Sequence, residues 1–199
     1  MTYEISSGHY HVRGKICFKI AEESANKEYY FYSAWEFRNA IERFSYELLR
    51  LSESEFKRIT KAMLKQYQPK KLFSSLKEIE PDYQSLWAYI NLLLSVLYPG
   101  DFPKTLDEKK LTEVYGKLNN KLHALKIPSD TTETDLWWAD FRISLQMADS
   151  LLTYLTYPVF GTINLNDNGR EQYRRWREGE IDDDTVISDF RDAFQPVQL

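Results

Sequence analysis

The sequence predicts an all-α protein, a bundle of about five to seven helices with a short irregular or extended C-terminal tail. In several long segments, apolar residues recur at steps of three and four, which is the period of a helix with one buried face. Only seven glycines and seven prolines occur among 199 residues, which is few for a turn-dense sandwich or barrel. Hydrophobic residues make up 43% of the chain, enough to bury the core of one domain.

Residues 11–21 form the first element, and their pattern fits two structures. Val12, Ile16 and Ile20 have helical spacing, but the near alternation of apolar residues with arginine and lysine is also typical of an edge strand. We favour a helix for this segment.

The strongest helical signal lies in residues 29–51. Its apolar stripe consists of Ala34, Phe37, Ile41, Phe44, Leu48 and Leu51. A second helix is predicted over residues 52–67, because Ser52 or Ser54 can cap its first turn and Pro69 follows its end.

Further helices complete the predicted bundle, over residues 71–79, 82–98, 106–125 and 133–157. The helix over residues 82–98 is apolar on nearly all sides, which suits the centre of a bundle. Its most apolar run, residues 86–98, has 13 residues and is shorter than the roughly 20 that a membrane span needs.

We assign residues 1–158 to one helical bundle domain and residues 159–199 to an acidic extension that packs on or beside it. Nine aspartates and glutamates outnumber five arginines between residues 167 and 192. The expected structure of the extension is, in order, an extended segment, a turn and a short helix, over residues 160–165, 166–169 and 170–180.

Composition and motifs exclude several kinds of function. The formal net charge of −4 argues against a general attraction to nucleic acid. Cys17 is the single cysteine and no secretory signal is evident, so we expect a cytoplasmic protein without membrane contact. The sequence lacks glycine-rich phosphate loops, nucleophile elbows and zinc-binding spacings, so no cofactor or metal is expected. His9 and His11 would face the same way on an extended chain, but a third ligand is not evident.

Two carboxylates on the last bundle helix do not form a catalytic pair. Asp140 and Asp149 lie nine residues apart, on opposite sides of an ideal helix. Asp140 is expected to be partly buried and to need a basic partner such as Arg38 or Arg43.

A basic run is the first candidate binding site. Seven basic residues and no acidic one lie between Lys57 and Lys77. The run could follow a phosphate backbone, form the solvated side of a helix, or dock the acidic segment at residues 178–192. The candidate nucleic-acid-binding residues are Lys57, Arg58, Lys61, Lys65, Lys70 and Lys71.

The segment VYGKLNNKLHAL, residues 114–125, carries the catalytic candidate. On an ideal helix Asn119 and His123 share a face beside the leucine seam, close enough for the asparagine to orient the imidazole. This pattern, together with the helix AWEFRNAIERFSYELL over residues 34–49, resembles the HEPN family. The RNA-cleaving motif of that family is an arginine, four to six residues and then a histidine, often with an asparagine early in the gap.

The resemblance implies a homodimer or a complex with another protein, and a place in a prokaryotic toxin–antitoxin or phage-defence system. It also implies metal-independent RNA cleavage, in which His123 helps a ribose 2′-hydroxyl attack the adjacent phosphate, Asn119 orients the imidazole and Lys117 contacts phosphate. The sequence departs from the family because no arginine precedes His123 at the family spacing. Lys117 lies about 120° from His123 on an ideal helix and lacks the arginine fork. A member that binds RNA without cleaving it, and a half-buried structural histidine, therefore remain open.

An adaptor without catalytic activity is the alternative. Tyr29, Tyr32 and Trp35 widen the apolar surface of the helix over residues 29–51 beyond one stripe. Aromatic side chains of this kind are enriched in protein interfaces. They are therefore the candidate partner-binding residues.

Overall fold

A computed structural model describes residues 5–24, 26–56, 63–66, 68, 69–79, 81–97, 106–123, 131–155 and 167–193. Within these ranges the regular structure is entirely helical, which confirms the all-α fold class. The described part contains eight α-helices, slightly more than the five to seven predicted. They are α1 (Ser7–Ser24), α2 (Glu28–Phe56), α3 (Pro69–Ile79), α4 (Tyr83–Leu97), α5 (Glu108–Lys121), α6 (Thr131–Leu155), α7 (Asp167–Arg177) and α8 (Asp183–Ala193).

The first two helices differ in how well their sequences predicted them. The helix favoured for residues 11–21 is confirmed as part of α1. α2 is one helix of 29 residues where two were predicted, so the prediction that Ser52 or Ser54 caps a new helix is wrong. A short 3₁₀ turn at Met63–Lys65 lies where the second helix was expected to end.

Helices α3 to α6 agree with their predicted bounds to within about four residues. Pro69 is the first residue of α3, a position that tolerates the missing N–H. Asp107 caps α5 because its side chain accepts a hydrogen bond from the Lys110 N–H at 2.9 Å. No helix among the described residues combines the length and the apolar run that a bilayer crossing requires.

The core centres on α2 and also contains buried side chains of α3, α4, α5 and α6. The predicted stripe of α2 is confirmed at Ala34, Phe37, Ile41, Phe44 and Leu48, which are fully buried, whereas the side chain of Leu51 lies outside the described part of the structure. The centre of α4 contributes Trp87, whose ring meets Phe44 edge-on at 5.7 Å between centroids. Burial of such side chains is the main stabilising contribution to a bundle of this kind. From α6 the core receives Phe141, Leu145, Ala148 and Leu152.

Helices α1 and α2 form an antiparallel hairpin. Ser7, at the start of α1, donates its N–H and hydroxyl to the Glu47 carboxylate, at 3.0 and 2.6 Å. Near the other end, the rings of Phe18 and Tyr30 lie 6.0 Å apart. Glu47 therefore satisfies an N–H that the first turn of α1 would otherwise leave unpaired.

Helix α6 also runs antiparallel to α1. His11 Nε2 lies 2.7 Å from Asp149 Oδ1, and Glu22 pairs with Arg142 further along. Since α1 is antiparallel to both α2 and α6, those two helices are parallel to each other.

Helix α5 runs antiparallel to α6 and therefore to α2. Lys117 Nζ lies 3.9 Å from Met147 Sδ, and Lys121 Nζ lies 2.7 Å from the Asp140 carboxylate. The C-terminal end of α5 and the N-terminal end of α2 consequently lie at the same end of the bundle.

The C-terminal extension contains the predicted short helix, as α7, and a second helix, α8, that the sequence analysis did not predict. The turn expected at residues 166–169 is wrong from Asp167 onward, because α7 begins there. Gly179 ends the turn after α7 with a φ of +73°, a conformation that favours glycine. The segment expected to be extended, residues 160–165, lies outside the described residues.

The extension packs on α4. The Tyr89 ring lies 5.3 Å from that of Tyr173 and 5.5 Å from that of Trp176. Its hydroxyl donates a hydrogen bond to Gln172 Oε1 at 2.8 Å, and burial raises the pKa of this hydroxyl. α7 and α8 thus cover one side of the most apolar helix.

Candidate functional site

His123 lies just beyond the end of α5. The last helical residue is Lys121, and Leu122 forms the C-cap with its N–H on the Leu118 carbonyl. His123 is exposed, and within the described part of the chain it forms no hydrogen bond. The predicted helix over residues 106–125 is therefore too long at this end, and His123 lies outside the helix that holds Asn119. The structural role considered for a half-buried histidine does not match this exposed position either.

The other two predicted catalytic residues lie within α5. Lys117 pairs with Glu113 at 3.1 Å, one turn earlier on the same helix. Asn119 is half-buried. Among the described residues, no contact joins Lys117, Asn119 and His123 into a cluster.

Lys121 was not predicted, yet it fixes the end of α5 against α6. Its ammonium lies 2.7 Å from the Asp140 carboxylate, 4.5 Å from the centre of the Trp137 ring, and donates to the Trp137 carbonyl at 3.3 Å. A cation over a tryptophan face with a carboxylate beside it is a stable arrangement. The pairing could have been anticipated only once α5 was known to lie antiparallel to α6.

The expected partners of Asp140 are wrong. Arg38 pairs with Glu42 at 3.0 Å and Arg43 with Glu47 at 3.1 Å, each four residues along α2. Asp140 is also exposed, not partly buried as expected, and its basic partner is Lys121.

An aromatic layer joins the end of α5 to the start of α2. The Phe31 ring lies 6.2 Å from Trp137 and meets Trp138 edge-on at 5.7 Å. The Lys121 ammonium lies over the Trp137 ring, and His123 follows Lys121 by two residues. His123 and the first turns of α2 therefore lie at the same end of the molecule.

The predicted partner-binding residues form an α2 aromatic strip, defined here as Tyr29, Tyr32 and Trp35. Tyr32 is 58% exposed and Trp35 is 51% exposed. Tyr29 is half-buried and meets Tyr32 edge-on at 5.8 Å. The Arg38 guanidinium lies 5.3 Å from the centre of the Trp35 ring. The strip is therefore an exposed aromatic surface with a cation beside it.

The basic run is described only in part. Lys57, Arg58 and Lys61 lie outside the described residues. Lys65, Lys70 and Lys71 are exposed.

Lys70 and Lys77 line a groove of about 680 Å³ between α3 and the start of α5. Asp107 and Glu108 line the same groove, and Glu108 pairs with Lys77 at 2.9 Å. The groove therefore carries both signs of charge and does not form a continuous basic surface.

His9 and His11 lie on a helix, so the extended-chain geometry considered for them is wrong. His9 is exposed and lies 2.7 Å from the Ser6 hydroxyl. His11 is buried against Phe37, and burial lowers the pKa of its imidazole, although Asp149 acts in the opposite direction. No group of three potential metal ligands occurs in the part of the chain that the structure describes.

Comparison with family models, curated proteins and solved structures finds no match for this chain. The resemblance to the HEPN family therefore depends on the residues named above.

Proposed function

We propose that this chain is a HEPN-like helical protein of a prokaryotic toxin–antitoxin or phage-defence type system that binds single-stranded RNA at the His123 end of the bundle. One observation carries the proposal. The exposed imidazole of His123 and the α2 aromatic strip lie at the same end of the molecule, joined by the layer of Phe31 and Trp137.

The chemistry of these side chains suits an unpaired RNA strand. Exposed tyrosine and tryptophan rings stack on bases of any sequence, at about 1–3 kcal/mol per base. Tyr32 and Trp35 each leave a large part of the ring open to such a contact. The Arg38 guanidinium beside Trp35 adds a planar cation, of which Nε and one Nη already donate to Glu42 at 3.1 and 3.0 Å, so only its remaining N–H donors are open to a phosphate.

Cleavage by His123 would be metal-independent. A histidine can take a proton from a ribose 2′-hydroxyl because imidazoles exchange protons near neutral pH. Stabilisation of the phosphate would need a second group. Lys117 is engaged by Glu113, so a binding protein that does not cleave fits the described contacts as well as a nuclease does.

The test uses the full chain and a labelled single-stranded RNA of mixed sequence, with a chelator present. We expect Trp35→Ala to weaken binding about fivefold or more, since one stacking contact is lost. For a nuclease, His123→Ala abolishes cleavage and leaves the melting temperature unchanged. His9→Ala is the matched control, because His9 is an exposed histidine at the opposite end of the bundle. Absence of RNA binding at low salt would overturn the proposal.

A second candidate function is an adaptor that docks a protein through the α2 aromatic strip. The exposure of Tyr32 and Trp35 beside an arginine favours it, because these three residue types dominate interface hot spots. An adaptor would show no RNA binding. Its co-purifying partner would stay bound in His123→Ala and would be lost in Trp35→Ala. Val12→Ala, a change of an exposed apolar residue on α1, serves as the control for that loss.

A further inference from the structure

The outward side of α6 carries an uncharged stripe with regular spacing. Its residues lie three, four, three and four positions apart, and every one of them is exposed. Leu136 is 68% exposed and Ile143 is 52% exposed. We define the α6 stripe as Leu136, Ala139, Ile143, Gln146 and Ser150.

Helix α6 therefore has two sides with few charges, the exposed α6 stripe and the side that faces the core. The opposite side of α6 faces the core through residues such as Phe141 and Leu145. A helix that contacts its neighbours on one side normally presents charged residues on the other. Alternating steps of three and four are instead the spacing by which two helices interlock along their length.

We propose that the α6 stripe binds the α6 stripe of a second copy of this chain, antiparallel, with the two-fold axis beside Ala139. In this register Leu136 packs against Ile143 of the second copy and Ile143 against its Leu136. Ala139 meets its own counterpart, where the small side chain lets the two helix axes approach to about 8 Å.

Charge complementarity selects this register. Asp135 and Arg142 lie seven residues apart on one flank of the stripe, and both are exposed. In an antiparallel two-fold pair the same flanks face each other. Asp135 lies four residues before Ala139 and Arg142 three residues after it, so an axis at Ala139 brings Asp135 to within one residue of the level of Arg142 of the second copy, twice. An axis at Ile143 would bring Arg142 against its own counterpart instead.

The other flank does not oppose the pairing. Asp140 lies level with its counterpart near the axis, but Lys121 holds each carboxylate in an ion pair at 2.7 Å. On the favourable flank, Arg142 already pairs with Glu22 and keeps further N–H donors for Asp135 of the second copy.

The stripe is long enough for a reversible dimer. From Leu136 to Ser150 a helix rises about 21 Å. Specific interfaces bury at least about 1,000 Å² in total, and those at the low end of the range are transient. We therefore expect self-association that depends on protein concentration.

Sedimentation equilibrium of the full chain over a range of concentrations is the first test. We expect a monomer–dimer equilibrium that Ile143→Glu weakens at least tenfold. Ile16→Glu is the matched control, because Ile16 is an equally exposed isoleucine, 53% exposed, on α1. Both changes are on the surface, so both variants should keep the far-ultraviolet circular dichroism of the parent chain.

Cysteine cross-linking tests the register. In a Cys17→Ser background, Ala139→Cys should form a disulfide-linked dimer under mild oxidation, since facing cysteines at the axis meet the distance requirement of a disulfide. A cross-link through Ile143→Cys and none through Ala139→Cys would overturn the register. A monomer at all concentrations, or a dimer that Ile16→Glu disrupts and Ile143→Glu does not, would overturn the interface. RNA binding by the α2 aromatic strip is measured separately, so its failure and that of the dimer are distinguishable.

Discussion

At Gly14 the first two helices approach so closely that a side chain has no room. A Cβ placed there would lie 2.5 Å from Phe37 Cε1, and Phe37 is fully buried, so its ring cannot swing into solvent. The Gly14 carbonyl also accepts a hydrogen bond from the Ser33 hydroxyl at 2.9 Å, which holds α1 in this position. Glycine is therefore required here by packing, whereas its backbone lies in an ordinary helix.

Gly14→Ala should lower the free energy of unfolding by about 1–3 kcal/mol, because the extra methyl group overfills the contact with Phe37. Gly116→Ala is the matched control, since a Cβ at Gly116 in α5 meets nothing within 4 Å. That change should raise the free energy of unfolding by roughly 0.5–1 kcal/mol, the difference between alanine and glycine inside a helix. Urea titration of both variants measures the two values, and equal effects would contradict the packing explanation.

The contact between buried His11 and half-buried Asp149 joins the elements α1 and α6. Burial lowers the pKa of His11, so the folded chain resists protonation of the imidazole. The neutral imidazole can donate its Nε2–H to Asp149 at 2.7 Å. The unfolded chain, by contrast, takes up this proton at the ordinary histidine pKa of about 6.5.

We therefore expect the free energy of unfolding to fall as the pH decreases below about 6.5, because the unfolded state then binds more protons than the folded state. Above that pH both states hold a neutral imidazole, and this contribution disappears. Urea unfolding at several pH values measures this effect. Below about pH 6.5, the free energy of unfolding should decrease less for His11→Gln than for the parent chain. His9→Gln, a change of an exposed histidine, should show the same decrease in the free energy of unfolding as the parent chain. If His11→Gln showed that same dependence on pH, the expectation would be contradicted.

Elements with a fully apolar face could be predicted from the sequence, and elements with a mixed face could not. The apolar stripe of α2 is regular, so the period of its apolar residues is enough to predict the helix. The buried face of α1 instead consists of Ser7, His11, Gly14 and Ala21, so hydrophobic spacing could not separate helix from strand. Serine favours a helix cap, so the sequence predicts a new helix at Ser52, but α2 continues through this residue to Phe56.

At the scale of the whole molecule, Tyr89 holds the C-terminal extension on the bundle. Its ring contacts Tyr173 and Trp176, and its hydroxyl bonds to Gln172. Since the ring is fully buried between α4 and α7, most of its contribution comes from packing and a smaller part from the hydrogen bond.

Tyr89→Phe should cost about 1 kcal/mol of stability, the net value of one hydrogen bond. Tyr89→Ala should cost about 3–5 kcal/mol and should accelerate amide hydrogen exchange in α7 and α8 more than in α2. Tyr32→Ala serves as the control, because Tyr32 is exposed and its ring contacts Tyr29 within α2. Equal protection of α7 and α8 in the parent chain and in Tyr89→Ala would contradict this role.

The candidate site was predictable only where it depends on single side chains. The surplus of aromatic residues points to Tyr32 and Trp35 in the sequence, and both side chains are exposed. The contact of Lys121 with Trp137 depends on the antiparallel arrangement of two helices, which no local pattern encodes. The end of α5 ahead of His123 was missed for a related reason, because no glycine or proline marks it.

The link between His11 and Asp149 spans 138 residues of chain, whereas α1 and α2 are neighbours in sequence. During synthesis at about 5–20 residues per second, Asp149 emerges roughly 5–20 s after α2 is complete. Contacts between near neighbours form first, so the initial hairpin can assemble early and must then wait for α6. In a nascent chain, His11 is therefore without the Asp149 carboxylate for several seconds. During this interval a chaperone would encounter the incomplete bundle.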